Sequence, residues 1–377
     1  MKIRVAIVGL PNVGKSKLFN ALAKQSIATA ENFPFCTIDP NMTPVEIPDK
    51  YLQSLARLAK SKRAVSAKID FIDVAGLVKG SSKGEGLGNR FLATVRECDA
   101  IIHVIRNYID DDIIHVDGRV DPILDAEIIN LELLLADEAH VERRLEKKRS
   151  CITDERLVLE KTLAQLEKGL PARSIGLSED EKKVIKSMGL LTLKPVIYAI
   201  NIDEIDFVLD KNEAYHHAKH IFQSIQYSDT SKDLYTVISA KLDAELSKVE
   251  KDDQITFLES LDLNDKEYQD ELLQNLSHVS LPLLVKQLLD LSCVYTGPGV
   301  PSERSQTTKA HIFQNNGLTA SELAGKLHGD IQRGFIKAEV IKAHDLIQYD
   351  SFSEAKTSTE GRDYVVQSDD VVLIKWK

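Results

Sequence analysis

The sequence predicts an α/β protein in which a doubly wound sheet is interrupted by a helical arm and followed by a smaller β-rich domain. In the first part of the chain and again after residue 190, β-branched runs end in polar residues, which is typical of buried parallel strands. Leucines at helical spacing dominate residues 127–168. Near the C-terminus, a Pro/Gly/Ser-rich loop precedes closely spaced strand and helix signals.

The composition is that of an ordinary globular chain with an acidic surplus. With 377 residues, 43% hydrophobic and 28% charged, the chain is long enough for two or three domains. Its net charge of −10 argues against a protein that coats nucleic acid through charge alone. We therefore expect no sequence-specific DNA partner, although a local basic face can still dock on RNA.

Two features concern the cellular compartment. The segment Met1 to Gly9 has no cationic leader and no long hydrophobic run, so we expect neither secretion nor insertion into a membrane. The four cysteines lack paired spacing, which is typical of reduced thiols and not of a disulfide framework or a zinc site. Both features favour the cytoplasm.

The clearest chemical motif lies near the N-terminus. The β-rich run Lys2 to Val8 leads into GLPNVGKS, Gly9 to Ser16, which matches G-x-x-x-x-G-K-[ST] and precedes a segment of helical spacing. This order forms a cradle for phosphate, because backbone N–H groups and the helix N-terminus present partial positive charge. We expect Lys15 to reach the β- and γ-phosphates and the Ser16 hydroxyl to bind Mg²⁺. The alternative is a glycine-rich turn with an incidental lysine.

Two further segments fit a nucleotide switch. The run Ala67 to Gly76 predicts a strand that ends at Asp73, with Gly76 three residues later, as in the D-x-x-G element of switch proteins. Asp73 would hold Mg²⁺ through water, and the Gly76 N–H would sense the γ-phosphate. In the preceding Pro-punctuated loop, Thr37 can complete the Mg²⁺ shell. Taken singly, Asp73 is also explained as an acid that ends a strand, and Thr37 as an ordinary threonine in a loop.

A base pocket is predicted at the ends of two later strand candidates, Lys194 to Asn201 and Leu234 to Lys241. The first runs into Asn-Ile-Asp-Glu, where a guanine-reading protein would have Asn-Lys-x-Asp. Glu204 is one methylene longer than the expected Asp, and Ile202 replaces a lysine whose stem would cover the base. A site without its short, rigid carboxylate loses its main reason to reject ATP, so we favour adenine.

Helical and β signals divide the rest of the chain. Leucines and isoleucines at helical spacing in residues 127–168 predict an antiparallel helical hairpin, with Ile128, Leu131, Leu134 and Leu135 on one face. A short helix is expected near Glu179 to Ser187. After residue 289, strand, helix and strand signals predict a compact mixed sheet with one helix.

The series GLPNVGKSKLFNAL, NFPFCTIDPN, DFIDVAGLVKGSSKGEGLGNRFL, NIDE and ISAK resembles the Obg-like ATPases of the YchF subfamily, which are translation-factor-class P-loop proteins. The resemblance extends over nearly the whole chain. It implies a P-loop NTPase domain, an inserted coiled-coil arm and a C-terminal β-grasp-like TGS domain. It also implies a preference for ATP over GTP and an association with the large ribosomal subunit.

The resemblance also suggests roles for single residues. Leu77 follows the D-x-x-G element where many switch proteins have a water-positioning glutamine, and His115 matches a loop histidine proposed to substitute for it in the family. His115 is equally explained as a loop residue without a catalytic duty. Asn12 matches an asparagine that helps to bind K⁺ in related proteins, whereas Lys17 replaces the usual threonine.

The sequence therefore predicts a Mg²⁺-dependent ATPase that acts as a ribosome-associated switch. Residues 1–128 and 191–288 would form the nucleotide-binding domain, residues 129–190 the arm and residues 289–377 the TGS domain. A GTP-specific GTPase and a regulatory binding protein with incidental hydrolysis stay open as alternatives. The catalytic candidates are His115 and Lys15, and the metal ligands are Ser16, Thr37 and Asp73. The nucleotide-binding candidates are Asn12, Val13, Gly14, Lys15, Ser16, Lys17, Gly76, Asn201, Ile202, Glu204, Ser239 and Ala240.

Overall fold

A computed structural model of the chain describes residues 2–30, 41–74, 87–110, 118–147, 154–186, 188–209, 211–250, 253–261, 263–300 and 306–377. The chain forms two compact units. The larger unit comprises Ile3–Val45 and Asp70–Leu288, and the smaller comprises Met1–Lys2, Glu46–Ile69 and Leu289–Lys377. Residues 46–69, which the sequence analysis assigned to the nucleotide-binding domain, thus belong to the C-terminal unit.

The strands are β1 (Arg4–Val8), β2 (Met42–Glu46), β3 (Arg63–Val65), β4 (Lys68–Asp73), β5 (Ala100–Arg106), β6 (Val196–Asn201), β7 (Leu234–Ile238), β8 (Leu291–Thr296), β9 (Thr307–Gln314), β10 (Phe335–Lys342), β11 (Ser358–Glu360) and β12 (Asp370–Trp376). In the described part of the chain they form two sheets. The first has the order β2-β4-β1-β5-β6-β7 and the second the order β11-β10-β12-β8-β9-β3.

The helices are α1 (Lys15–Ala30), α2 (Leu52–Leu58), α3 (Leu87–Arg96), α4 (Pro122–Lys147), α5 (Asp154–Leu166), α6 (Glu179–Lys186), α7 (Glu204–Leu209), α8 (Lys211–Ser224), α9 (Ala240–Leu246), α10 (Gln254–Ser260), α11 (Lys266–Asn275), α12 (Ser277–Leu288), α13 (Ala320–Leu327), α14 (Gly329–Arg333) and α15 (Ala343–Leu346). A 3₁₀ turn at Ala172–Ser174 follows α5. None of the helices in the described ranges is long and apolar enough to cross a membrane.

The first sheet confirms the doubly wound prediction. Strand β1 pairs in parallel with β4 and β5, β5 with β6, and β6 with β7. Every residue of β5 and β6 is buried, as expected for central strands whose two faces are both covered. Because parallel strands end at the same edge of the sheet, the residues that follow β1, β4, β5, β6 and β7 can build one site.

The helical arm is formed by α4 and α5, which contact each other, with α6 packed on α5. Of the four residues predicted for the buried face of α4, only Leu134 is buried, and the others are partly exposed. The buried face runs instead through Ile129, Leu133 and Val141. It also contains Asp137, whose carboxylate accepts hydrogen bonds from the backbone N–H groups of residues 191 and 192. The spacing of apolar residues does not identify a buried face that includes a carboxylate.

The predicted limits of the arm also differ from the structure. Helix α4 begins at Pro122, so the boundary placed between residues 128 and 129 falls inside a continuous helix. In α5, where Leu159, Leu163 and Leu166 recur at helical spacing, Leu159 and Leu166 are buried and Leu163 is partly buried. The predicted short helix after the hairpin is confirmed as α6.

The smaller unit contains the predicted mixed sheet, but the described part of residues 289–377 has three helices, α13, α14 and α15, where one was predicted. Strand β8 is antiparallel to β9 and parallel to β12, and β12 is antiparallel to β10. Helix α13 begins with a capping box, in which Thr319 and Glu322 bond reciprocally. The sequence ends in two β-rich runs, and the first of them, Tyr364 to Gln367, forms only an isolated bridge at Val365 and not the strand that its composition predicts. There the Asp370 carboxylate accepts bonds from the Tyr364 hydroxyl and the Gln367 N–H, each at 2.8 Å, which favours a turn.

Candidate functional site

The glycine-rich loop joins β1 to α1 as predicted, and its glycines have backbone conformations that other residues rarely adopt. Gly9 has φ 153° and Gly14 has φ 102°. A Cβ atom on Gly9 would lie 2.5 Å from the carbonyl oxygen of Val104, and one on Gly14 would collide with the side-chain amide of Asn201. Both positions therefore require glycine, because neighbouring atoms leave no room for a Cβ atom and because the φ angles are ones that other residues rarely adopt.

Lys15 is the first residue of α1 and is largely buried, with 6% of its surface exposed. Its Nζ donates a hydrogen bond of 2.6 Å to the carbonyl oxygen of Leu10 within the loop. Burial lowers the pKa of Lys15 to about 8, although the nearby Asp73 carboxylate opposes this shift. A buried ammonium group that bonds to one carbonyl can exchange that partner for a phosphate oxygen.

Ser16 and Asp73 come together at the ends of α1 and β4. The Ser16 hydroxyl donates to Asp73 Oδ2 at 3.3 Å, and Asp73 Oδ1 is buried and has no hydrogen-bond partner within the described ranges. Burial raises the pKa of Asp73, whereas Lys15 and the bond from Ser16 lower it. A hydroxyl beside a carboxylate with an unused oxygen fits a hard cation such as Mg²⁺.

The described residues contain no group of three or more histidine, cysteine or acidic side chains that could hold a metal ion. A cation at Ser16 and Asp73 would therefore also need oxygen ligands from phosphate and water. Three predicted site residues, Thr37, Gly76 and His115, lie outside the described residues.

Asn201 connects the phosphate loop to the loop after β7. Its Nδ2 donates to the Val13 carbonyl oxygen at 2.9 Å, and its Oδ1 accepts from the Ala240 N–H at 2.9 Å. The side chain is 2% exposed. Both ends of the amide are thus used within the protein, so Asn201 braces the two loops.

A pocket opens at the carboxyl edge of the first sheet, beside the phosphate loop. It is lined by Gly14, Lys17, Tyr108, Asp110, Asn201, Ile202, Asp203, Ala240 and Lys241. Of the predicted nucleotide-binding residues outside the phosphate loop, Lys17, Asn201, Ile202 and Ala240 line it, and Glu204 does not. Ser239 instead caps α9, where its Oγ accepts from the Leu242 N–H at 3.4 Å.

Tyr108 and Asp110 were missed by the sequence analysis, although they follow β5 and thus lie where a ligand site is expected. Arg106, which is 1% exposed, holds both residues through their backbone. Its Nε donates to the Tyr108 carbonyl at 3.1 Å and its Nη2 to the Asp110 carbonyl at 3.2 Å. Its guanidinium carbon also lies 4.7 Å from the centre of the Tyr108 ring. This segment therefore forms a fixed wall of the pocket.

Glu204, the residue that departs from the guanine-reading pattern, is paired. Its Oε1 lies 2.5 Å from the Nζ of Lys241, and this hydrogen bond raises the pKa of Lys241. The second carboxylate oxygen, Oε2, is buried and has no partner among the described residues. Ile202 is buried, and its N–H donates to the Ile238 carbonyl at 2.9 Å. Asn12 and Lys17, by contrast, have exposed side chains.

Comparisons with known proteins agree with this geometry. A family model described as "50S ribosome-binding GTPase" matches residues 4–136, and a model for the YchF GTPase C-terminal region, described as a protein of unknown function, matches residues 305–377. The "Ribosome-binding ATPase YchF" of Bacillus subtilis is 40% identical and that of Haemophilus ducreyi 38% identical. The alignments cover 100% of this chain and 100% and 99% of those proteins.

A solved structure agrees as well. The Schizosaccharomyces pombe YchF GTPase superimposes with a TM-score of 0.83 at 31% identity, over 99% of this chain and 98% of that one. Full-length similarity at this level and a shared fold establish kinship, and the phosphate loop, Asp73 and the altered base segment lie where the fold requires them. The chain therefore belongs to the YchF family of P-loop nucleoside triphosphatases.

Proposed function

We propose that this protein is a Mg²⁺-dependent ATPase that acts as a ribosome-associated nucleotide switch in the cytoplasm. The observation that carries the proposal is the pairing of Glu204 with Lys241, a residue that lines the pocket beside the phosphate loop. The names of the bacterial relatives, which describe ribosome-binding ATPases, support the activity and the partner.

The phosphate end of the site can act through three side chains. The Lys15 ammonium would leave the Leu10 carbonyl and neutralise charge on the β- and γ-phosphates. The Ser16 hydroxyl and the Asp73 carboxylate would hold Mg²⁺, Asp73 through water. When bound, the ion neutralises charge that develops on the phosphates during transfer.

The base end can discriminate through the ion pair. Guanine offers N–H donors at N1 and N2 and needs a free carboxylate to accept both of them. One oxygen of Glu204 already accepts a charge-assisted bond from Lys241, so guanine would have to compete with Lys241 for that oxygen. Adenine has no donor at N1 and no 2-amino group, so it does not compete with Lys241 for the Glu204 carboxylate. This difference supports a preference for ATP.

The switch itself would involve Thr37 and Gly76, which would contact Mg²⁺ and the γ-phosphate, and His115, which would orient the attacking water. These three roles rest on the resemblance between the sequence motifs and those of the family. Asn12 would help to bind K⁺ in the same way. ATP-bound and ADP-bound forms would then differ in affinity for the large ribosomal subunit.

Two experiments test the proposal. Competition of unlabelled ATP and GTP against a fluorescent ATP analogue should give tighter binding of ATP. Co-sedimentation with ribosomes should differ between a non-hydrolysable ATP analogue and ADP. If sedimentation is the same with both nucleotides, the protein is not a ribosome-associated switch.

GTP hydrolysis is the second candidate, and one observation favours it. The buried Oε2 of Glu204 has no partner among the described residues and can accept one N–H from guanine. If GTP binds at least as tightly as ATP in the competition, this candidate replaces the first. Turnover that changes with neither ribosomes nor K⁺ would instead favour the third possibility, a regulatory binding protein with incidental hydrolysis.

A further inference from the structure

A second pocket lies in the larger unit and shares no lining residue with the nucleotide pocket. It is lined by Arg96 at the end of α3 and by His140, Arg143, Arg144 and Lys147 along the last turns of α4. All five side chains are basic, although the chain as a whole carries a net charge of −10. Such a local surplus of cations is not expected unless something with negative charge offsets it.

Two of the four permanent cations in this pocket have acidic neighbours. Arg144 donates to Glu155 Oε1 through Nε at 3.1 Å and through Nη2 at 3.0 Å. Arg96 Nη1 lies 3.6 Å from Asp137 Oδ1 and donates to the Gly189 carbonyl at 2.9 Å.

Those acids do not neutralise the pocket. The Asp137 carboxylate, 0% exposed, also accepts bonds from the N–H groups of Leu191 and Thr192 and from the Thr192 hydroxyl. Arg143 bonds through Nε to a backbone carbonyl, that of Ala139, at 2.9 Å. Among the described lining residues and the two acids that contact them, four permanent cations face two carboxylates, which leaves a positive charge.

His140 points to a missing hydrogen-bond partner. Its Nδ1 is buried and has no partner among the described residues. Burial, together with Arg96, Arg143 and Arg144, lowers the pKa of the imidazole. A buried polar atom beside three guanidinium groups is costly unless a ligand that accepts hydrogen bonds and carries negative charge satisfies it.

We propose that the pocket formed by Arg96, His140, Arg143, Arg144 and Lys147 binds a phosphoryl group. Guanidinium groups present paired N–H donors that match two phosphate oxygens, and Lys147 adds a compact ammonium. The neutral His140 ring donates from Nδ1 in the matching tautomer. Because Arg96 belongs to α3 and the other four residues to α4, a phosphoryl group here connects α3 to the arm.

The phosphoryl group can come from free phosphate or from the backbone of RNA, and the experiment separates these sources. The full-length protein is first saturated with Mg²⁺ and a non-hydrolysable ATP analogue, so that the phosphate loop is filled. Inorganic phosphate is then titrated in one arm and a short mixed-sequence RNA in the other. Both are followed for the unchanged protein, Arg143→Glu, Lys147→Glu and the control Lys168→Glu, an equal charge reversal at an exposed lysine after α5.

We expect Arg143→Glu and Lys147→Glu each to weaken binding by about tenfold or more, and Lys168→Glu to leave it nearly unchanged. Saturable phosphate binding with this pattern identifies a free phosphoanion as the ligand. The same pattern with RNA alone identifies a backbone phosphate. The proposal is overturned if the pocket variants behave like Lys168→Glu with both ligands, or if neither ligand binds. Unchanged affinity for the ATP analogue in every variant verifies that the fold is intact.

Discussion

The ammonium of Lys241, a residue that lines the pocket beside the phosphate loop, lies 2.5 Å from one oxygen of the Glu204 carboxylate. The two residues are 37 positions apart, the first opening α7 and the second lying in the first turn of α9. Their pairing removes one acceptor oxygen from the position that would read guanine. If Glu204 reads the base, as proposed, substrate choice depends on a contact between the first turns of α7 and α9.

Removing the cation should move the preference toward guanine. In Lys241→Ala both oxygens of Glu204 become free to accept from N1 and N2, so GTP affinity should rise relative to ATP by about tenfold. Competition binding with both nucleotides measures the ratio. Lys248→Ala, at an exposed lysine after the end of α9, is the matched control. An unchanged ratio in Lys241→Ala would show that the ion pair does not set selectivity.

Replacing Asn201 should weaken the binding of ATP and GTP equally. Asn201→Ala removes the bonds to Val13 and Ala240 and leaves a buried carbonyl and a buried N–H unpaired, at a cost of about 1–3 kcal/mol each. ATP and GTP affinities should fall by the same factor, and the protein should unfold at a lower temperature. Calorimetric titrations and thermal denaturation test this. A selective loss of one nucleotide would mean that Asn201 contacts the base and is not only a brace.

Lys15 predicts a pH dependence of nucleotide binding. Its pKa of about 8 in the free protein means that the charged form predominates below pH 8 and is lost above it. Because only the ammonium attracts phosphate, ATP affinity should fall as the pH rises from 7 to 9, roughly tenfold per unit above the pKa if the charged form alone binds. The dependence should vanish in Lys15→Met. If the profile is flat in the unchanged protein, the ammonium does not contact the phosphates.

Asp73 should control the requirement for Mg²⁺. Asp73→Asn keeps the size of the side chain and an oxygen that can accept from Ser16, but it removes the negative charge that attracts a divalent cation. The Mg²⁺ concentration needed for half-maximal ATP hydrolysis should therefore rise by about tenfold or more, since a charged ligand is lost. Steady-state assays over a range of Mg²⁺ concentrations measure it. Asp70→Asn, elsewhere on β4, should have no such effect.

Asp243 predicts how stability varies with pH. The side chain is buried where it accepts from the N–H of Ser277 at 3.0 Å and from its hydroxyl, and burial raises its pKa to about 6. Since the unfolded pKa is 3.8, the folded state binds the proton more tightly. The resulting stability is complete below about pH 4 and is lost as the pH rises through 6, about 3 kcal/mol at most.

Urea unfolding between pH 4 and 7.5 tests this prediction against Asp243→Asn, which does not titrate. An amide can accept from the Ser277 N–H and donate to its hydroxyl, so the variant should fold. The difference in unfolding free energy between the two proteins should increase in favour of Asn as the pH rises. A difference that stays constant across the range would place the pKa of Asp243 in the folded state near its ordinary value.

Much of the site is formed by residues that lie close together in the sequence. Gly9, Gly14, Lys15 and Ser16 lie within eight consecutive residues, and a strand, a tight loop and a helix in that order allow little variation in backbone path. The D-x-x-G strand, the altered base segment and the fully buried central strands are likewise visible as short runs. The chemistry of residues that are neighbours in the sequence is enough to predict these features.

The remaining features depend on partners far apart in the chain. The bonds of Asn201 to the loops at residues 13 and 240, and the hold of Arg106 on the pocket wall, arise only when the strands align. The buried face of α4 includes Asp137, whose carboxylate accepts bonds from the N–H groups of residues 191 and 192, more than 50 positions away. Residues 46–69 add β3 to the edge of the C-terminal sheet, more than 200 positions from β9. The sequence determined the phosphate cradle, and tertiary packing decided which polar groups stay free to read a base, because hydrogen-bond satisfaction is a property of the assembled sheet and its loops.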